Sequence, residues 1–127
     1  MTKEGLYNYI GFLIREARGL IAQRDYKEAI WRCLIESQDG WSGWIKEVDA
    51  LFHKPQTLED AELRTEFQDV NLRAAKGLLS GISSVDHYLT AADVLAAQVC
   101  LKRVDPKNLS PELSEKLSRL ILQCEKY

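Results

Sequence analysis

Few residues in this chain are able to do chemistry, and their spacing decides what each can do. There are two histidines, His53 and His87. Imidazole is the usual acid–base group near neutral pH and a common metal ligand. Asp49 lies four residues before His53, so on a helix the two share a face and could hold a metal together. The competing reading is a protonated His53 complementing the last turn of a helix. Phe52-His53-Lys54-Pro55 reads as a helix end, because the residue before a proline is pushed out of the α region. His87 stands beside Asp86 in what reads as a first helical turn. Helix-borne di-iron sites place a His three residues after a Glu, and neither histidine follows that rule. No metal centre is expected.

Cys33, Cys100 and Cys124 form no CxxC pair, and their odd number does not suit a secreted disulfide framework. Cys33 and Cys124 fall on apolar helical stripes and Cys100 adjoins one. A thiol there behaves as a small, inert hydrophobe rather than a nucleophile with a depressed pKa. Gly40 and Gly43 precede no Lys-Ser/Thr and follow no strand, so no phosphate-cradling loop exists. The expectation is a non-catalytic chain with unpaired thiols, no metal and no cofactor.

Two other groups of residues point to binding. Trp31, Trp41 and Trp44 lie within fourteen residues, beside Gly40 and Gly43. Large aromatics are enriched among the anchors of protein interfaces. Trp41 and Trp44 keep the period of the main apolar stripe and suit a core. Trp31 with Ile35 forms a second stripe and suits a partner-facing surface. Arg15, Arg18, Arg24, Lys27 and Arg32 crowd the first third with basic charge, interleaved with Glu16, Asp25, Glu28 and Glu36. A solvated surface laced with salt bridges is one reading; phosphate contact by Arg15, Arg18, Arg24 and Arg32 is the other.

These residues sit on elements that are helical nearly throughout. Leu6, Ile10, Leu13, Ile14, Ala17, Leu20 and Ile21 step by three and four, the signature of one buried helix face. Asp25 and Glu28 read as a capping box opening a second helix. Its stripe is Tyr26, Ala29, Ile30, Cys33, Ser37, Trp41, Trp44, Ile45, Val48, Leu51 and Phe52, with a kink or break near Gly40–Gly43. Thr57 and Asp60 open a third helix carrying Ala61, Leu63, Phe67, Val70, Ala74 and Leu78, whose end Gly77 and Gly81 loosen. Ser83-Ser84 can cap a fourth, with a stripe of Val85, Tyr88, Leu89, Ala92, Leu95, Ala96 and Val99 and a second of Ala91, Val94 and Leu101. Its alanines would let neighbours approach closely, making it the most buried helix. Asp105-Pro106 closes it, and Ser110-Pro111-Glu112 opens a fifth, with Leu113, Leu117, Leu120, Ile121 and Cys124 inward. The fold class is therefore all-α: one domain over residues 1–127, a compact bundle of about five helices.

Around Leu20, Tyr26, Ala29 and Ile30 the chain resembles the hairpin junction of a tetratricopeptide repeat. Thirty-four residues beyond Ala29, at Leu63, nothing recurs, and a solenoid needs at least three units. Length and helix number also resemble helical nuclease domains of the HEPN type, whose motif is an Arg with a His five residues later. Val48 and Ile82 stand where that Arg would precede His53 and His87, so no catalytic residue carries over.

With 17 basic and 19 acidic residues in 127, the formal charge is −2. That balance gives no bulk argument for nucleic acid or an anionic membrane. No run approaches the length of a membrane span, and the first residues lack a secretory pattern. The sequence predicts a soluble cytoplasmic module that binds another protein, or itself, through a helical face. Trp31, Ile35, Trp41 and Trp44 are the candidate contact residues. A subunit touching nucleic acid within a ribonucleoprotein ranks second, and an enzyme or metal-binding bundle third.

Overall fold

The computed structural model describes residues 3–35, 54–80 and 90–125. Helix α1, Lys3–Ala22, forms where the stripe predicts it: Leu6, Ile10, Leu13, Ile14 and Ala17 are buried, with Leu20 and Ile21 packed at the margin. It ends in a Schellman turn. Asp25 N–H donates to Leu20 O at 2.9 Å and Arg24 N–H to Ile21 O at 2.9 Å. Arg24, at φ 60°, takes the left-handed position where glycine is usual. This turn corrects the expected Asp25 cap. Asp25 does precede α2, but its backbone (φ −93°, ψ 68°) lies outside the extended region of an N-cap, and its side chain makes no capping bond.

Helix α2 starts as an α-turn, Tyr26–Glu28, and continues as a π-helix, Ala29–Ile35. Tyr26, Ala29, Ile30, Cys33 and Leu34 are buried, as the stripe predicts up to Cys33. The departure from α geometry thus begins at Ala29. The expected kink at Gly40–Gly43, with Trp41 and Trp44, lies outside the described residues, as do Asp49, His53, Ser83-Ser84 and His87.

Helix α3, Leu58–Ser80, packs against every other helix and forms the centre of the bundle. Its start is capped as expected: Asp60 N–H donates to Thr57 Oγ1 at 3.1 Å. The Asp60 carboxylate accepts from Gln56 N–H at 3.2 Å and from the Tyr7 hydroxyl, which ties α1 to α3. Phe67, Val70, Ala74, Ala75, Leu78 and Leu79 form its core face. Gly77 does not loosen the helix end. It sits within the helix beneath the ring of Tyr26, and a Cβ there would collide with that ring.

Helix α4, Ala91–Lys102, departs most from the sequence reading. Its N-cap is Thr90, in a reciprocal capping box with Asp93. Its buried face is Asp93, Val94, Ala96, Ala97, Cys100 and Leu101. Of the stripe expected inside, Ala92, Leu95 and Val99 are exposed, as is Ala91 from the other. Half of α4 is buried, a larger share than of α3, while α3 packs against each of the other described helices. A helix apolar on all sides gives periodicity nothing to choose between.

Asp105 caps a 3₁₀ turn, Pro106–Asn108, accepting from Lys107 N–H at 3.0 Å. Helix α5, Pro111–Glu125, is capped by Ser110, whose Oγ accepts from Leu113 N–H at 3.1 Å. Leu113 is buried, and Leu117 and Leu120 rest against the core. One apolar cluster draws residues from all five described helices. The architecture is an all-α bundle, and no described helix is long and apolar enough to cross a membrane.

Candidate functional site

Of the residues singled out in the sequence, Trp31 is the most informative. It is half-buried, and its indole N–H donates to Asp93 Oδ1 at 2.9 Å. Asp93 is 2% exposed, yet its carboxylate is fully partnered. Its Oδ2 accepts from Thr90 N–H at 3.0 Å and lies 3.2 Å from Lys27 Nζ. Burial raises the Asp93 pKa. The hydrogen bonds from Thr90, Trp31 and Lys27 outweigh it and hold the carboxyl below the ordinary aspartate value. Trp31 and Lys27 on α2 are thereby fastened to the first turn of α4. Ile35, also half-buried, packs against the main cluster. The polar edge of Trp31 is therefore committed to the fold, while the side chain remains partly exposed.

A second polar joint holds the other end of α4. Arg103 Nη1 donates to Leu34 O in the π-helix and to Asn71 Oδ1 on α3, both at 2.9 Å. Its guanidinium carbon lies 5.5 Å from the centroid of the Phe67 ring. Asn71 is fully buried and donates to Phe67 O at 2.7 Å. Burial pushes the Arg103 pKa down, but a guanidinium stays protonated at any physiological pH. Neither Asp93 nor Arg103 was singled out from the sequence. A signal for the first existed, since Thr90-x-x-Asp93 is a capping pattern before an apolar run. None marks the second, because its partners lie 69 and 32 residues away.

The joints brace helices and present no reactive group to solvent. Burial raises the Cys33 thiol to about 11, with Glu16 adding to the rise, and the Cys100 thiol to about 12. Both are protonated at neutral pH and poor nucleophiles. Among the described residues no group of three or more His, Cys, Asp or Glu gathers to hold a metal ion.

The arginines stand differently. Arg15, Arg18, Arg24 and Arg32 are all exposed. Salt bridges between described residues join Lys27 to Asp93, Arg73 to Asp69 and Arg119 to Glu115.

Up to Val99, the exposed residues of α4 are apolar; Lys102 is exposed at its end and Gln98 is half-buried. Leu95 is 50% exposed and Val99 38%, with Ala92 exposed one turn before. Their spacing of three and four makes a continuous strip, and no charged side chain between Ala91 and Val99 reaches the surface, since Asp93 points inward. Compared with known proteins, the chain matches no protein-family model, no curated protein and no solved structure.

Proposed function

We propose that this chain is a non-catalytic helical interaction module that docks through the outer face of α4. The observation that carries this reading is the exposed strip Ala92, Leu95 and Val99, which Lys102 follows at the end of the helix. Apolar residues scattered singly over a surface need no explanation, but an aligned uncharged strip suits helix-in-groove packing. The occupant that best fits is a second copy of this chain. An uncharged strip does not repel itself, Ala91 and Ala92 allow close approach, and a two-fold contact needs only one such face. Trp31 supports the module by fastening α2 to the first turn of α4 through Asp93, while Ile35 packs against the core.

The test is the solution mass across a concentration series, for the native chain and for Leu95→Glu. A dimer that Leu95→Glu converts to a folded monomer supports the reading. A native chain still monomeric at about 1 mM, the Kd equivalent to only about −4 kcal/mol, refutes self-docking.

A second reading rests on a separate observation, the exposure of Arg15, Arg18, Arg24 and Arg32. It is contact with nucleic acid within a larger assembly. Binding of a short RNA duplex that weakens steeply with salt and is reduced by Arg15→Ala/Arg18→Ala supports it. Dimerisation unaffected by salt and no RNA binding at low salt would remove it.

A further inference from the structure

The outer side of α1 carries a cleft of about 310 Å³ lined by Phe12, Arg15, Glu16, Gly19, Leu20 and Gln23. That volume is at the small end of ligand sites and suits one flat ring system rather than a helix. Phe12 is 50% exposed there. Arg15 and Glu16 follow it by three and four residues, so they flank its ring on opposite sides. Helical side chains lean toward the N-terminus, which brings both charged tips level with the ring. The Arg15 guanidinium does so, its Nη1 lying 3.6 Å from where a Cβ on Gly11 would stand. Glu16 leans the other way, close enough to α2 for its charge to add to the rise of the Cys33 thiol. Gly19 leaves open space, with nothing within 4 Å of where its Cβ would be.

Neither charge is matched within the fold. Arg15 is exposed and Glu16 half-buried, and neither makes a salt bridge among the described residues. A purely anionic occupant would meet Glu16, and a purely cationic one Arg15. The arrangement calls for a flat ring with hydrogen-bond donors on one edge and an anion on the other side. A nucleotide presents all three.

We propose that this cleft takes an unpaired guanine nucleotide of a single strand, with the base on Phe12, its donor edge on Glu16 and its phosphate on Arg15. Unstacked bases are held in this way, on aromatic rings and through their Watson–Crick edges. A carboxylate only accepts, in a fork of two oxygens. Guanine offers it two adjacent donors, N1–H and the N2 amino group. Adenine and cytosine set a ring acceptor beside their amino group, and uracil sets carbonyls on both sides of its single N–H. Arg18, three residues beyond Arg15 and exposed on the same side, suits the next phosphate. The inference rests on the nucleic-acid reading above, which it narrows to an unpaired strand, and is independent of self-docking through α4.

The test is fluorescence anisotropy of the full chain at low salt with two labelled uridine pentamers, one with a central guanosine and one with a central adenosine. The guanosine strand should bind about tenfold more tightly, the discrimination a bidentate base contact supplies. Glu16→Gln should bring the two strands to equal affinity. Phe12→Ala should weaken both strands about fivefold or more, and Phe12→Trp should restore binding. Arg15→Gln should lower the slope of log Kd against log salt by about 0.7, one phosphate's share. Gly19→Met fills the open floor and should weaken the guanosine strand in a chain with unchanged circular dichroism. Equal binding of the two strands to the native chain, or a preference that survives Glu16→Gln, would overturn the guanine cleft while leaving the nucleic-acid reading standing. Absence of binding to either strand would overturn both, and a change of solution mass on Phe12→Ala would then assign the ring to a protein contact.

Discussion

Replacing Arg103 by Met keeps a flexible apolar stem and removes the guanidinium that joins α2, α3 and the end of α4. Two acceptors then lose their donor, Leu34 O and the buried Asn71 Oδ1. Each buried acceptor left unmatched costs about 1–3 kcal/mol, and the lost contact with the Phe67 face about 0.5–2 kcal/mol more. Relief of the guanidinium's own desolvation offsets part of this. A net loss of about 2–4 kcal/mol follows, a large share of the roughly 5–15 kcal/mol typical of a domain. Asn71→Leu provides the second arm of a double-mutant cycle. In the double variant the pair is replaced by apolar groups together, so the Asn71 acceptor is no longer stranded. Its cost should fall short of the sum of the single losses by about 1–3 kcal/mol. Urea unfolding followed by far-ultraviolet circular dichroism measures all four chains, and the denaturant slopes should agree. A loss below about 1 kcal/mol for Arg103→Met, or strict additivity, would show that the joint contributes little and refute the reasoning.

Three further perturbations separate local from tertiary effects. Gly77→Ala improves helix propensity but drives a methyl into the Tyr26 ring; it should lower stability by about 1–3 kcal/mol, and Tyr26→Leu in the same chain should recover part of that loss. Arg24→Gly relieves a left-handed residue at the α1 terminus and should raise stability by about 0.5–1 kcal/mol; an unchanged or lower melting temperature would count against the turn as described. The folded Asp93 pKa lies below its unfolded value, so its contribution is complete above the ordinary aspartate pKa, about 3.9, and is lost as pH falls through the folded value. Acid unfolding of the native chain should therefore show a component below about pH 4 that is missing in Asp93→Asn, and superimposable acid limbs would refute it.

The parts of this fold legible in the sequence are those whose causes are local. The α1 stripe is correct because one face is apolar and the other is not. Thr57 and Ser110 cap α3 and α5 because an N-cap bond spans three residues. The failures share a different cause. Asp25 has the right type for a cap, but the Schellman turn before it sets its backbone. Gly77 looks like a helix loosener until Tyr26, 51 residues earlier, is seen to need its space. On α4 the expected inner strip faces outward, since alanine, valine and leucine lie on every side and only long-range partners select one. The bond from Trp31 to Asp93 is not legible either, because it spans 62 residues.

The rotation of α4 carries the most functional weight. Hydrophobic burial alone distinguishes weakly between turning Ala92, Leu95 and Val99 inward and turning Val94, Ala97 and Leu101 inward, since burying either set gains on the order of 25 cal/mol per Å² of similar area. The polar joints are directional. Asp93 in the first turn must reach Trp31 and Lys27, and Arg103 just past the last turn must reach Leu34 and Asn71. With both ends so fixed, the helix has one allowed phase, and that phase leaves the uncharged strip outside. The exposure of Leu95 and Val99 is thus specified by buried polar chemistry and is not a leftover of loose packing. For that reason disturbing Asp93 or Arg103 should weaken the proposed self-docking even though neither residue lies on the exposed strip.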